Sequence, residues 1–344
     1  VGRIVLDSMD SLYSRFPGPT VLDREFRRLC QWLKDYGLTG LVTAGRGGEG
    51  LTEHRLEEYL SDCVLVLTRD VQGEVATRYV EVVKYRGSDH GTNRYPFYVA
   101  SQGISVVPIT EVGLDYPAPN ECVSTGVDGL DEMLGLGGMF RGSVALVAGG
   151  AGTGKSSIGA SFAKAACERG ERSLYWAFEE SPQQIIRNMN SIGIELASEV
   201  KDDRLRIESI RPAVEGLEGH LWRIRQVVLQ QEPDIIVMDP VWDFELVGNH
   251  RTAKAMWVRL FDFLRSRGIT ALLTSLTPTG LKAYPVEPSV SSAVDTWIAL
   301  EAVADAGTRQ RAIHVVKSRG MAHCDEPRLL SFGENGVCVA PMPQ

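Results

Sequence analysis

Along the second two thirds of the chain, short apolar runs alternate with longer stretches in which apolar residues recur every three or four positions. The unbroken runs predict strands over 143–148, 172–178, 204–208, 234–239 and 269–275. The periodic stretches predict helices over 154–168, 182–192, 214–230 and 251–266. Strands without apolar–polar alternation, each followed by a helix, imply a mostly parallel sheet covered by helices on both faces, an α/β architecture. A strand-rich C-terminal end should add antiparallel strands at one edge. The first third predicts strands over 2–7, 38–44, 62–68, 77–85 and 95–100, and a helix over 20–35 with Phe26, Leu29, Cys30 and Leu33 on one face. Residues 109–122 carry Pro117 and Pro119, have no periodicity, and form the expected linker.

The chain repeats itself. Gly2–Asp7 resembles Asp234–Asp239, an offset of 232, and Val82–His90 resembles Val315–His323, an offset of 233. Ser61-Asp62 matches Val294-Asp295 at that second offset. Three segments in one order at one spacing imply a tandem repeat with a truncated first copy. The expected division is residues 1–115 for the later part of one domain and 116–344 for a second, nearly whole one. The counterpart of the glycine-rich segment beginning at Gly149 falls ahead of Val1, so the sequence reads as a fragment of a longer protein whose first copy lacks that segment here.

Composition narrows the classes. With 36 basic and 44 acidic residues the net charge is −8, which offers no electrostatic footprint for nucleic acid. No apolar run approaches the roughly 20 residues of a membrane helix, and no signal peptide opens the chain. The six cysteines are scattered without CxxC or zinc spacing, which fits reduced thiols in a cytoplasmic protein.

The chemistry concentrates at Gly149-Gly-Ala-Gly-Thr-Gly-Lys-Ser156, which satisfies GxxxxGK[ST] between an apolar strand and a helix. In such a loop, the backbone N–H groups of Gly150, Ala151, Gly152, Thr153 and Gly154 turn toward phosphate oxygens. The helix end adds a partial positive charge. Lys155 reaches the β- and γ-phosphates of ATP, and the Ser156 hydroxyl ligates Mg2+. Asp239 closes an apolar strand and suits the acid that holds Mg2+ through water. Glu179 and Glu180 follow the strand ending at Phe178. Adjacent acids beside a triphosphate are costly, which points to use: one polarises the attacking water or hydroxyl and the other aids the metal or positioning, with Glu179 and Glu180 both candidates for catalysis and Glu179 also for the metal.

Together with Thr125-Gly-Val-Asp-Gly-Leu-Asp-Glu-Met133, Phe178-Glu-Glu-Ser181 and two Lys-x-Arg-Gly-x-x-His segments, these residues resemble the KaiC family of RecA-like P-loop ATPases and autokinases. The resemblance covers essentially the whole chain. It implies a two-tiered homohexamer with ATP at subunit interfaces, the Lys-x-Arg-Gly-x-x-His strand of one subunit reaching the nucleotide of its neighbour. Here that strand is Lys317, Ser318, Arg319, Gly320 and His323, with Lys84, Arg86 and His90 serving the first tier. Lys and Arg two positions apart on a strand face the same way, which independently suits paired phosphate contacts. The resemblance also implies phosphorylation at Ser291 and Ser292, three residues or so before Asp295, where the first copy carries Glu58 and Tyr59.

The chain departs from the family at Ile192, where the family has an adenine-packing Trp, and at Met321 and Ala322, in place of Ser and Trp. It ends at Gln344 without the family's KaiA-binding tail, which argues against KaiA as a partner; a KaiB-like partner of the first domain stays open. Two further readings stand beside the autokinase: an ATP-dependent assembly switch without self-phosphorylation, and a RecA-like DNA motor, which the acidic total disfavours.

Overall fold

The structure is a computed structural model. It describes residues 2–9, 19–45, 59–72, 75–106, 116, 118–241, 250–277, 293–305, 308–334 and 336–342. By contact density the chain divides into two compact units, Val1–Asp70 with Arg78–Phe97, and Val71–Thr77 with Tyr98–Gln344.

The larger unit is built on a nine-stranded sheet. Its strands are β9 (Val144–Gly149), β10 (Ser173–Ala177), β11 (Leu205–Ser209), β12 (Ile235–Asp239), β13 (Thr270–Leu276), β14 (Thr296–Asp305), β15 (Thr308–Ser318), β16 (Arg328–Gly333) and β17 (Gly336–Pro341), in the spatial order β11-β10-β12-β13-β9-β14-β15-β16-β17. Pairing is parallel from β11 through β14. It turns antiparallel from β14 to β17, so the strand-rich end does extend one edge.

Alternation along the parallel strands divides their side chains between two cores. Ala145, Val147, Tyr175, Val237 and Leu272 face one, and Leu146, Trp176, Ile236, Met238 and Leu273 face the other. The first is covered by α3 (Lys155–Glu168), through Ile158 and Phe162, and by α4 (Pro182–Asn190). The second is covered by α6 (Leu217–Gln231) and α7 (His250–Ser266), through Leu221, Ile224, Met256, Trp257 and Leu260. Helix α3 lies close to the sheet because Gly159 faces it: a Cβ there would stand 2.9 Å from Val237 Cγ1.

Helices α6 and α7 are tied by an ion pair. Arg259 Nη1 donates to Glu218 Oε2 at 2.9 Å, Nη2 to Oε1, and the Arg259 side chain is 3% exposed. Removing the acid leaves a guanidinium charge buried. Glu218→Ala should therefore cost about 3–5 kcal/mol, read as a lower midpoint in urea unfolding followed by tryptophan fluorescence.

Two short helices escaped the sequence pattern, α2 (Asp128–Met133) and α5 (Ala197–Lys201); six and five residues are too few for periodicity to register. The expected linker gives way at its last residue to β7 (Cys122–Val123), which pairs with β8 (Met139–Phe140) and buries Val123. The helix expected from 214 begins at Leu217 behind extended Gly216, and Pro212–Val214 form a separate 3-10 turn.

In the smaller unit β1 (Arg3–Leu6) and β2 (Thr39–Val42) pair in parallel, and α1 (Pro19–Asp35) lies between them in sequence. Phe26 and Leu33 of that helix are buried and Leu29 and Cys30 half-buried, as its amphipathic pattern requires. A four-stranded sheet in the order β3-β4-β5-β6 is formed by β3 (Cys63–Gln72), β4 (Val75–Tyr85), β5 (Arg94–Ala100) and β6 (Gly103–Val106), with β4 and β5 antiparallel; most of β3, β4 and β5 belongs to the smaller unit and β6 to the larger. Among the described residues, β1–β2 and β3–β6 are separate sheets, whereas β12–β13 and β14–β17 are joined by β9.

Among the described residues no helix is long and apolar enough to cross a membrane.

Candidate functional site

Strand β9 delivers the chain to the glycine loop at the carboxyl edge of the parallel strands. Gly154 stands at the N-cap of α3 with φ 106°, a conformation an L side chain adopts only under strain. That angle lets Lys155 and Ser156 start the helix with the first-turn N–H groups facing the loop. The Lys155 ammonium donates to Gly149 O at 3.0 Å and to Gly150 O at 2.8 Å, and Thr153 Oγ1 donates to Gly150 O at 2.9 Å. Burial pulls the Lys155 pKa down, and the negative charges of Asp239 and Glu179 oppose that. The lysine and both acids therefore meet at one sheet edge.

Asp239 ends β12, and β13 alone separates β12 from β9. Its carboxylate is held from two sides: Tyr175 Oη donates to Oδ2 at 2.6 Å, and Thr274 Oγ1 donates to Oδ1. Neither hydroxyl was singled out from the sequence. The Asp–Thr pair recurs in the smaller unit, where Thr43 Oγ1 donates to Asp7 Oδ1 at 2.5 Å.

Glu179 and Glu180 leave β10 together and then differ. Helix α4 opens with a capping box, Gln184 N donating to Ser181 Oγ and Ser181 N to Gln184 Oε1 at 2.9 Å. Glu180 is folded back onto that helix, accepting from Asn188 Nδ2 at 3.0 Å, while its carbonyl accepts from Ser209 Oγ. Glu179 is exposed and its charge acts on Lys155. Of the adjacent acids, Glu179 is the one whose charge acts on Lys155.

A second feature missed from the sequence braces the loop from β15 and β16. Arg311 Nε donates to Gly152 O at 3.1 Å, and its guanidinium lies 5.0 Å from the Phe332 ring centroid. Ile192 packs against the α3-side core and Met321 is buried.

Lys317 and Arg319 lie elsewhere. Ser318 pairs with Thr296, and Thr296 with Ala145, at the start of β9, whereas Leu300 pairs with Gly149 at its end. Four residues of extended chain separate these levels, roughly 13 Å. The two cations therefore stand at the sheet rim opposite their own glycine loop. Arg319 N donates to Asp295 O at 3.0 Å, and its Nη1 lies 3.9 Å from Asp295 Oδ1. Arg319 and Asp295 line a cavity of about 510 Å3 with Arg141, Asp262, Arg265 and Phe140. Burial, then the Arg319 charge, lowers the Lys317 pKa. His323 Nδ1 lies 3.4 Å from Met321 O and its Nε2 3.5 Å from Asp325 Oδ1.

The same arrangement occurs in the smaller unit. Arg86 N donates to Asp62 O at 2.8 Å, Arg86 Nη1 lies 3.5 Å from Asp62 Oδ1, and His90 Nδ1 lies 3.5 Å from Ser88 O. Lys84 Nζ and Arg86 Nη2 both donate to Tyr59 O, at 3.2 and 3.0 Å. Ser291 and Ser292 lie outside the described residues, as does Glu58.

The Thr125–Met133 motif closes a turn on itself. Asp131 Oδ1 accepts from Thr125 N at 2.8 Å and Thr125 Oγ1 at 2.6 Å, and Oδ2 from Ser124 Oγ at 2.5 Å. Burial still raises the Asp131 pKa.

A glycine loop between strand and helix, at the carboxyl edge of a parallel sheet whose acid-bearing strand lies one strand away, defines a RecA-like P-loop ATPase. The family model described as "ATPase: KaiC" matches residues 1–111 and 123–344, and the chain belongs to that family. It is 44% identical over 337 residues to the circadian clock protein KaiC2 of Synechocystis sp.. It is 32% identical to the circadian clock oscillator protein KaiC of Acaryochloris marina and 30% identical to the Synechocystis circadian clock protein KaiC3. These matches take in 97%, 97% and 98% of this chain but 59%, 64% and 67% of the relatives.

Proposed function

We propose that residues 116–344 form a complete ATP-hydrolysing domain, and residues 1–115 the later part of a like domain, of a nucleotide-driven signalling ring in the cytoplasm. The observation that carries this reading is the division of charge across one sheet: Lys155, Glu179 and Asp239 at the loop edge, Lys317 and Arg319 at the opposite rim.

ATP would lie on the N–H groups of Gly150 to Ser156, with Lys155 moving its hydrogen bonds from the loop carbonyls to the β- and γ-phosphates. Mg2+ fits this donor set. Among the described residues no three His, Cys, Asp or Glu side chains form a cage. The ion would be held chiefly by phosphate oxygens and water, with the Ser156 hydroxyl as a ligand and the Asp239 carboxylate holding it through water. The ion would neutralise charge on the phosphates. Glu179, exposed and with its charge acting on Lys155, would orient the attacking water or hydroxyl.

Arg319 and Lys317 are too far from their own loop to help, so they would serve the ATP of an adjoining copy in a homohexamer, and the cavity beside Arg319 would receive the neighbour's ligand. Lys84, Arg86 and His90 would play that part in the first tier.

Autophosphorylation would fall on Ser291 and Ser292. Lys84 and Arg86 converge on the carbonyl of Tyr59, the residue one repeat offset before Ser292, which supports a cationic surround for the acceptor. The clock functions in the relatives' names suggest a timing or signalling output.

After incubation with Mg·ATP, native mass spectrometry should show a hexamer that is lost without nucleotide, and phosphopeptide mapping should find phosphate on Ser291 or Ser292. A nucleotide-dependent hexamer with unmodified serines would leave an assembly switch without kinase activity.

A further inference from the structure

The Tyr175 phenol has no part in the phosphate chemistry derived above, yet it reaches the site through β10. Tyr175 is opposite Val237 and Ala177 opposite Asp239 in the parallel β10–β12 pair. Tyr175 and Asp239 are thus diagonal neighbours on one face, close enough for a long aromatic side chain to span. The ring is fully buried in the α3-side core. Only its hydroxyl meets a polar group, and that group is Asp239 Oδ2 at 2.6 Å.

We propose that Tyr175 is a positioning residue that sets the Asp239 carboxylate for the water shell of Mg2+. This rests on the ATPase reading of the site. A carboxylate at a strand end rotates readily about its last torsion. Here Thr274 fixes Oδ1 and Tyr175 fixes Oδ2, so the plane of the group is locked from both flanks. Each oxygen accepts one hydrogen bond and keeps lone-pair capacity for a metal-bound water. The phenol O–H is the donor in this bond and the carboxylate the acceptor. The role parallels the outer-shell groups that orient metal ligands elsewhere, whose loss weakens metal binding about 10- to 100-fold.

The test is Tyr175→Phe in the full chain, which keeps the buried ring and removes one oxygen. A fluorescent ATP analogue is titrated in EDTA and then at fixed nucleotide against Mg2+. In EDTA the variant should bind as the wild type does. The Mg2+ concentration for half-maximal effect should rise about tenfold, and thermal unfolding without ligand should stay within a few degrees of wild type. Unchanged Mg2+ dependence would overturn the assignment. A large loss of EDTA-state affinity, or of folding, would also overturn it, in favour of a purely packing role. If the wild-type chain itself bound no nucleotide in either condition, the ATPase reading would be what had failed.

Discussion

Lys155→Ala is expected to lower ATP turnover by about 10²–10³-fold, measured as phosphate release under saturating Mg·ATP. The magnitude follows from what the ammonium does. It is the cation that the loop carries, it is half-buried, and it donates to two carbonyls, Gly149 O and Gly150 O. Its charge is held in a partly desolvated setting opposite Asp239 and Glu179, where electrostatic contacts are stronger than in water. Alanine removes the charge and leaves those two acids facing a polyanion. The fold should tolerate the change, because α3 is anchored by Ile158, Phe162 and the close approach at Gly159 rather than by Lys155. Turnover within threefold of wild type would refute the assigned role.

The second large effect concerns Arg319. Arg319→Ala should reduce turnover by about 10³–10⁵-fold if the guanidinium completes a neighbour's site as an arginine finger does. The side chain is 56% exposed and its Nη1 lies 3.9 Å from Asp295 Oδ1, so its loss should leave circular dichroism and the melting temperature nearly unchanged. Mixing provides the decisive measurement. A Lys155→Ala chain still offers Arg319, and an Arg319→Ala chain still offers an intact loop. Co-assembled from nucleotide-free protein, the two inactive variants should recover part of wild-type turnover at the interfaces that unite the two intact halves. No recovery at any ratio would mean that Arg319 acts within its own chain or not at all.

The parts of this molecule that sequence reveals are those whose signal is local. The strand–loop–helix context of Gly149–Ser156 is contiguous, and the apolar runs ending at Phe178 and Asp239 announce buried parallel strands. What the sequence hides depends on register. Tyr175 looks like any core aromatic until β10 is set beside β12 and its hydroxyl falls next to Asp239. Thr274 is one of several threonines near the end of β13, and only its pairing level selects it. Arg311 and Phe332 come from strands far along the chain, and nothing local shows that they brace Gly152. The distance between Lys317 and the loop is likewise hidden, because β15 runs antiparallel and carries its end away from that edge. The Thr125–Met133 motif marks the family, and only the folded chain shows that its Asp131 closes a turn onto Ser124 and Thr125.

The separation of β1–β2 from β3–β6 has a practical side. Among the described residues β2 is bonded to β1 alone and β3 to β4 alone, and Val5, Leu41, Leu65 and Leu67 are more than half exposed. Each strand thus presents a rim of amides and carbonyls beside greasy side chains, the arrangement that recruits stray extended segments. These rims make the opening hundred residues the expected origin of self-association in concentrated solution, which light scattering would detect.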